Sequence, residues 1–333
     1  MVPSPSSRAT SGEPLSLQNF AALQEAAEWF AVLRGDRVSA ADRRSWQAWH
    51  DSSPAHREAW RRVQAISAQF DNLPGKPANE ALALRGNRRR HVSRALVLLC
   101  GGAAVGGISL GVPPVRRYLA SLGADYRTGV GEIRNVELSD RSQLWLNTAS
   151  AADVSYTASL RRIHLLTGEI LVASRPDARL PPRPLVVDVA AGRLRALGTR
   201  YTVRIGDHST HLAVLEGAVE VVPARGGATR IVPAGQQLEF GSDWLSDTSP
   251  ANADHAAWSR NVLMADGTTL GDFVAELSRY RRGYLGCAPE VASLRLVGVY
   301  PLDDTDRILA ALEASLPVRV QRTLPWWVSI EAR

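Results

Sequence analysis

The sequence predicts a multidomain protein: an all-α three-helix bundle, a single transmembrane helix, an all-β domain and a small C-terminal α+β domain, in that order. Three observations predict it. Apolar residues recur at helical spacing up to about residue 70. No charged residue falls between Arg94 and Arg116. From about Thr128 the period changes to two, and beyond residue 256 strand and helix patterns alternate. A chain of 333 residues is long enough for two or three cores. Its 45% apolar and 22% charged content is that of a folded protein. The net charge of +6 and pI near 9.8 come almost wholly from arginine. Lys76 is the only lysine, a bias of coding composition more than of function, so no direct nucleic-acid partner is expected.

Residues 1–16, rich in Ser and Pro, read as a disordered leader. The bundle is expected over 17–70. Its first helix, 17–33, places Phe20, Leu23, Ala27 and Phe30 at helical spacing and stops at Gly35. The second opens at Ser39 with Asp42 three residues on, a capping-box pattern, and carries Trp46 and Trp49. The third has Ser53 as cap, Pro54 as first helical residue, and Trp60, Val63 and Ile66 on one face. Four tryptophans, Trp29, Trp46, Trp49 and Trp60, fill a small core or line a groove for a partner. Helix three lacks the polar cluster at its start that a DNA-reading helix needs.

A juxtamembrane linker is expected at 71–94 and the membrane helix at 95–115. The span is just long enough, and it lies far from the chain start, unlike a cleaved signal peptide. Gly101, Gly102, Gly106, Gly107 and Gly111 disfavour a helix in water but are tolerated in lipid. Arginines 85, 88, 89, 90 and 94 precede the run, and 116 and 117 follow it. The upstream excess predicts a single-pass chain with the N-terminus in the cytoplasm and the C-terminus exported. Arg88, Arg89 and Arg90 weakly resemble a twin-arginine signal.

The all-β domain is expected over 125–245, a sandwich or a β-helix-like roll. Strands are predicted at 132–138, 142–146, 162–166, 185–189, 202–205, 212–215, 219–222 and 237–240, separated by turn signals such as Thr167-Gly168 and Glu216-Gly217. A linker follows at 246–256. The C-terminal domain, 257–333, reads as two β-α-β units: strand 261–264, helix 270–280, strand 283–287; strand 294–299, helix 303–315, strand 318–321; and a last strand at 327–330.

The stretch EAAEWFAVLRGDRVSAADRRSWQAWHDSSPAHREAWRRV resembles the N-terminal domain of FecR-type sigma-factor regulators. TGVGEIRNVEL, LWLNTAS, RRIHLLTGEILVAS, RPLVVDVAAGRLRALGTRYTVRI and VLEGAVEVV, in that order, resemble their periplasmic β domain. LGDFVAELSRYRR through LRLVGVYPLDDTDRILAAL is similar to their C-terminal signalling-partner domain, related to the secretin/TonB short N-terminal fold. Arg141 departs from the family, which usually has Gly after Asp140 in that turn. The resemblance implies an inner-membrane anti-sigma factor. Its bundle would hold an extracytoplasmic-function sigma factor. Its C-terminal domain would receive a signal from the signalling domain of a TonB-dependent outer-membrane receptor, usually for a ferric siderophore. Site-specific proteases would act on the chain, the glycine-rich span being the segment an intramembrane protease would unwind.

No nucleophile, base and orienter are placed for an external reaction, and neither cofactor nor metal is expected. His208 and His211 read as a surface pair, and Asp303, Asp304 and Asp306 as a helix start rather than a calcium loop. Cys100 and Cys287 make no metal-like spacing. One self-directed reaction is implied by the resemblance, cleavage at Gly198-Thr199 by the threonine hydroxyl; the alternative is a bulge glycine before a strand. Trp326 and Trp327 are receptor-binding candidates or core residues. The competing readings are a membrane-anchored periplasmic enzyme with paired carboxylates in a groove, and a membrane-anchored DNA-binding regulator using Arg57, Arg61 and Arg62.

Overall fold

Local signals set the three helices. In the computed structural model, which describes residues 17–34, 38–71 and 123–333, they are α1 (Leu17–Leu33), α2 (Ala40–Ser52) and α3 (Pro54–Asp71). The leader, nearly all of the linker and the uncharged run at 95–115 lie outside the described residues, and no described helix is long and apolar enough to cross a membrane. The Ser39 hydroxyl accepts from the Asp42 amide (3.1 Å) and the Asp42 carboxylate accepts from the Ser39 amide (2.9 Å), closing the capping box. Ser53 caps α3 by accepting from the His56 amide (3.1 Å). In α1, Phe20, Ala22, Leu23, Ala26, Ala27 and Phe30 are all buried. That is more than one helical stripe, because α1 packs on α3 and also on the C-terminal domain.

The β domain is a sandwich. One seven-stranded sheet has the order β1 (Tyr126–Arg127), β4 (Ala151–Tyr156), β5 (Arg161–Thr167), β7 (Leu185–Val189), β8 (Gly192–Ala196), β11 (Ala218–Pro223), β12 (Arg230–Pro233). The facing sheet runs β14 (Ser249–Pro250), β13 (Gln236–Phe240), β10 (Thr210–Glu216), β9 (Arg200–Ile205), β6 (Glu169–Ala173), β3 (Gln143–Leu146), β2 (Arg134–Glu137). Among the described strands of the sandwich, only β5 and β7 pair in parallel. Alternate residues of both sheets, among them Leu144, Ile163, Val187, Tyr201, Val214 and Phe240, meet in one core. The segment 246–256 contributes β14, which pairs with β13.

The C-terminal domain contains β15 (Val262–Thr269), α4 (Leu270–Ser278), β16 (Tyr284–Cys287), β17 (Arg295–Pro301), α5 (Thr305–Ser315), β18 (Val318–Leu324) and β19 (Trp327–Ala332). β15 and β17 form an antiparallel ribbon; β16, β19 and β18 form a three-stranded sheet in which β16 runs parallel to β19. Asp304 caps α5, accepting from the amides of Asp306 and Arg307 at 3.0 Å each. The two helices bring Leu270, Phe273, Leu277, Ile308, Leu309 and Leu312 to a core that also takes in Leu171 of the sandwich.

A buried polar clasp completes that junction. Glu169, 5% exposed, accepts from Asn147 Nδ2 (2.9 Å), Trp258 Nε1 (3.1 Å) and Arg279 Nη2 (2.6 Å). Thr148 Oγ1 donates to the carbonyl of Arg279 (2.9 Å). One carboxylate thus ties two sandwich strands to the C-terminal domain, with its desolvation offset by three donors.

Candidate functional site

The Gly198-Thr199 bond lies at the start of β9. Gly198 has φ +80, in the left-handed region that glycine enters without a Cβ clash. Its carbonyl is pressed against Gly217: a Cβ built there would stand 2.1 Å from the Gly198 oxygen. Thr199 is 4% exposed, and its hydroxyl is buried with no hydrogen-bond partner. Its amide donates to Ser174 Oγ (2.8 Å), and its carbonyl accepts from the Ser174 amide (2.8 Å). A free hydroxyl, a glycine held by its surroundings and a hydroxyl on the scissile nitrogen therefore converge at one peptide bond. Ser174 was not picked out from the sequence, because only the β6–β9 pairing brings it alongside.

The four bundle tryptophans separate into two kinds. Trp60 is 9% exposed and lies between Phe30 (5.8 Å between ring centroids) and Trp46 (5.2 Å). It is a packing residue. Trp29 is half-buried beside the same cluster. Trp46 and Trp49 sit on α2, a helix with no buried residue at all. Trp49 stacks on His56 (4.7 Å) and donates to Glu25, and the Trp46 indole N–H is enclosed without an acceptor. An amphipathic helix half-covered in this way keeps apolar area for a partner. Arg61 pairs with Glu58 and Arg57 reaches the Asp51 carbonyl, so these arginines are engaged within the bundle.

Trp326 and Trp327 are both buried. Trp327 is 0% exposed and stacks on Tyr284 (3.9 Å), and Trp326 meets Phe30 of α1 edge-on (5.5 Å). Gln24 of α1 also donates to Glu331 (2.8 Å). This aromatic face of the C-terminal domain is therefore covered by helices. The exposed apolar residues are elsewhere, at Val297 (77%) and Val299 (59%) on β17, whose alternating pattern already turns them outward.

Among the described residues no group of three or more His, Cys, Asp or Glu is placed to hold a metal. A cleft of about 880 Å3 between sandwich and C-terminal domain is lined by Arg204, Asp272, Glu276 and Arg295. These four are engaged: Glu276 holds Arg204 (3.0 Å), Asp272 accepts from Thr269 (2.6 Å), and Arg295 donates to the Gly267 carbonyl. Burial pushes the Cys287 thiol up to about 12, so at neutral pH it is no nucleophile. Asp306 pairs with Arg281 (2.7 Å) and Arg322 (3.0 Å) beside the start of α5.

Residues 124–220 match the family model described as FecR protein, and residues 24–66 match one described as a domain of unknown function (DUF4880). No curated protein matches the chain at a significant level. Two crystal structures of a candidate anti-sigma factor from Parabacteroides distasonis, at 2.50 and 1.65 Å, are similar in fold. Each is 18% identical with a TM-score of 0.50, over 62% of this chain and 98% of that one.

Proposed function

We propose that this chain is a FecR-type regulator and that it acts on a sigma factor held by the α1–α3 bundle. The observation that carries the reading is α2, which presents Trp46 and Trp49 half-covered on a helix without a buried residue. The structural neighbour described as a candidate anti-sigma factor supports the same role. The test is capture by the full-length chain of the sigma factor encoded nearest its gene. One-to-one binding is expected, and a Trp46→Ala/Trp49→Ala variant should lose about tenfold or more in affinity with its helical content unchanged. No binding by the folded wild-type chain would overturn the proposal.

The finer reading places the bundle in the cytoplasm and the β and C-terminal domains in the periplasm, joined by an inner-membrane helix at 95–115. It rests on the uncharged run and the arginine excess ahead of it. A crossing there separates α1 and α3 from Trp326 and Trp327, and each freed face then takes its own partner. For the C-terminal domain that partner would be the signalling domain of a TonB-dependent receptor for a ferric siderophore, with β17 and its outward valines as an edge for strand addition. If the same capture with the receptor's signalling domain yields no complex, the receptor drops out.

A second reading concerns Gly198-Thr199. The Thr199 oxygen attacks the Gly198 carbonyl carbon, the C–N bond breaks as the hydroxyl proton passes to the Thr199 nitrogen, and water then cleaves the resulting ester. Ser174, on the scissile nitrogen at 2.8 Å, is a positioning residue for that proton. The unbonded hydroxyl and the left-handed glycine favour this reading over a plain bulge.

A further inference from the structure

The loop between β6 and β7, SRPDARLPPRP at 174–184, carries Leu180, which at 94% exposed is the most exposed large apolar side chain among the described residues. A lone exposed leucine needs no explanation. Its setting does. Beside it opens a cleft of about 960 Å3 lined by Arg141, Arg175, Arg179 and Arg183 together with Glu137, Asp140 and Asp177. Two of the carboxylates are already paired: Asp140 with Arg161 (2.6 Å) and Asp177 with Arg183 (2.8 Å). The side chains of Arg141, Arg175 and Arg179 have no partner among the described residues, and the remaining carboxylate of the cleft, Glu137, is bonded to Gln143 (2.9 Å). The loop is also fixed at both ends. Arg161 donates to the carbonyls of Arg175 (2.9 Å) and Arg183 (3.1 Å), and the Arg175 amide donates to Ser142 Oγ (2.9 Å). The loop therefore carries an apolar tip next in sequence to Arg179, beside a cleft with three arginines that have no partner among the described residues, on a base fixed by hydrogen bonds.

Topology says what this tip faces. Traced backward from Arg127, β1 runs antiparallel to β4, with Tyr126 opposite Ala152 and Asp125 bonded to the Val154 amide (2.9 Å). From Arg127 back to Asp125 the described chain thus runs along β4 toward Tyr156, whose hydroxyl donates to Asp140 in the wall of the cleft (2.9 Å), and the described part of the domain begins at Gly123. The uncharged run ends at Val115, eight residues earlier, within about 28 Å of extended chain. We propose that the loop at 174–184 and Arg141 form a membrane-contact surface for anionic phospholipid, with Leu180 inserted at the headgroup boundary and Arg141, Arg175 and Arg179 on phosphates. The proposal rests on the reading that 95–115 crosses the bilayer.

Trypsin reads this directly. Arg175 and Arg183 each precede proline and resist it, so Arg179-Leu180 is the loop's one cleavable bond. The full-length chain is placed in nanodiscs of phosphatidylcholine alone or of equal phosphatidylcholine and phosphatidylglycerol, and fragments beginning at Leu180 are timed. Cutting should be at least about fivefold slower in the anionic discs. The difference should vanish in Arg141→Glu/Arg175→Glu and shrink in Leu180→Ser, both of which keep the cleavable bond. Equal rates in both discs, with the chain still embedded after an alkaline carbonate wash, would overturn the lipid surface and leave the crossing standing. Loss of the chain in that wash would overturn the crossing and this proposal with it. Equal protection by soluble glycerol phosphate in neutral discs would make the site a free-phosphate binder and overturn it as a membrane contact.

Discussion

Thr199 is where the chemistry of single side chains matters most. A buried hydroxyl without a partner costs about 1–3 kcal/mol, and it persists here beside a glycine at φ +80 whose carbonyl abuts Gly217. If the hydroxyl is the nucleophile, Thr199→Ala yields only full-length chain on an immunoblot tagged at both ends, Thr199→Ser still yields two fragments, and Ser174→Ala slows their appearance about tenfold or more. Fragments of unchanged size and rate from Thr199→Ala would end the idea. The glycine–threonine pair was legible as two adjacent letters. Ser174, whose hydroxyl meets the Thr199 amide, was not, since its proximity is a product of strand pairing across 25 residues. Arg141 was legible as a misfit in a glycine position, and it stands at φ 63, in the region glycine favours. The bundle tryptophans could be counted from the sequence but not sorted, because half-burial on α2 and full burial at Trp60 depend on how the helices pack.

Among the elements, those with local signals agreed with expectation and those held by their neighbours did not. α2 begins after its capping box and α3 at its proline, as their caps require. The two-residue strands β1 and β14, and β4, β6, β8 and β12, were not predicted. AADVSY alternates too weakly, GRLRA alternates but over five residues with a single large apolar side chain, and EILVA is apolar at nearly every position because both its faces are covered, so a period of two is absent there. Context also supports a strand that was predicted, β5. Its first residue, Arg161, is paired with Asp140 in near-complete burial, side chains 7% and 4% exposed. Burial opposes ionisation of Asp140, but hydrogen bonds from Arg161, Ser142 and Tyr156 together outweigh it and hold the carboxyl below its usual range. A carboxylate depressed in the folded state stabilises above its unfolded pKa near 4, and that stability is lost as pH falls through the folded value. Asp140→Asn should therefore cost about 3 kcal/mol at neutral pH, and the gap from wild type should narrow steadily below about pH 4. Urea unfolding at neutral pH and at about pH 3 checks this, and a gap independent of pH would refute the ionic account.

At the scale of the molecule, the order bundle, sandwich, α+β domain was legible because each has its own hydrophobic period. The contacts between them were not. The Glu169 clasp joins residues 110 apart through Arg279, and Gln24 meets Glu331 across 307 positions. The second contact bears on topology. α1 touches β18, and Phe30 lies on Trp326, only if both ends of the chain share one side of a bilayer; a crossing at 95–115 forbids it. The two arrangements are exclusive, so one pair of cysteines distinguishes them. With Cys100 and Cys287 changed to serine, Gln24→Cys and Glu331→Cys replace two side chains that sit 2.8 Å apart. A short bis-maleimide should join them in detergent, where the bundle can reach the aromatic face. It should fail in intact membranes, where the arginine excess ahead of the uncharged run keeps α1 in the cytoplasm. An efficient cross-link in intact membranes would place both ends in one compartment. The face of Trp326 and Trp327 would then be a seat for the chain's own bundle, leaving β17 alone as the edge for the receptor.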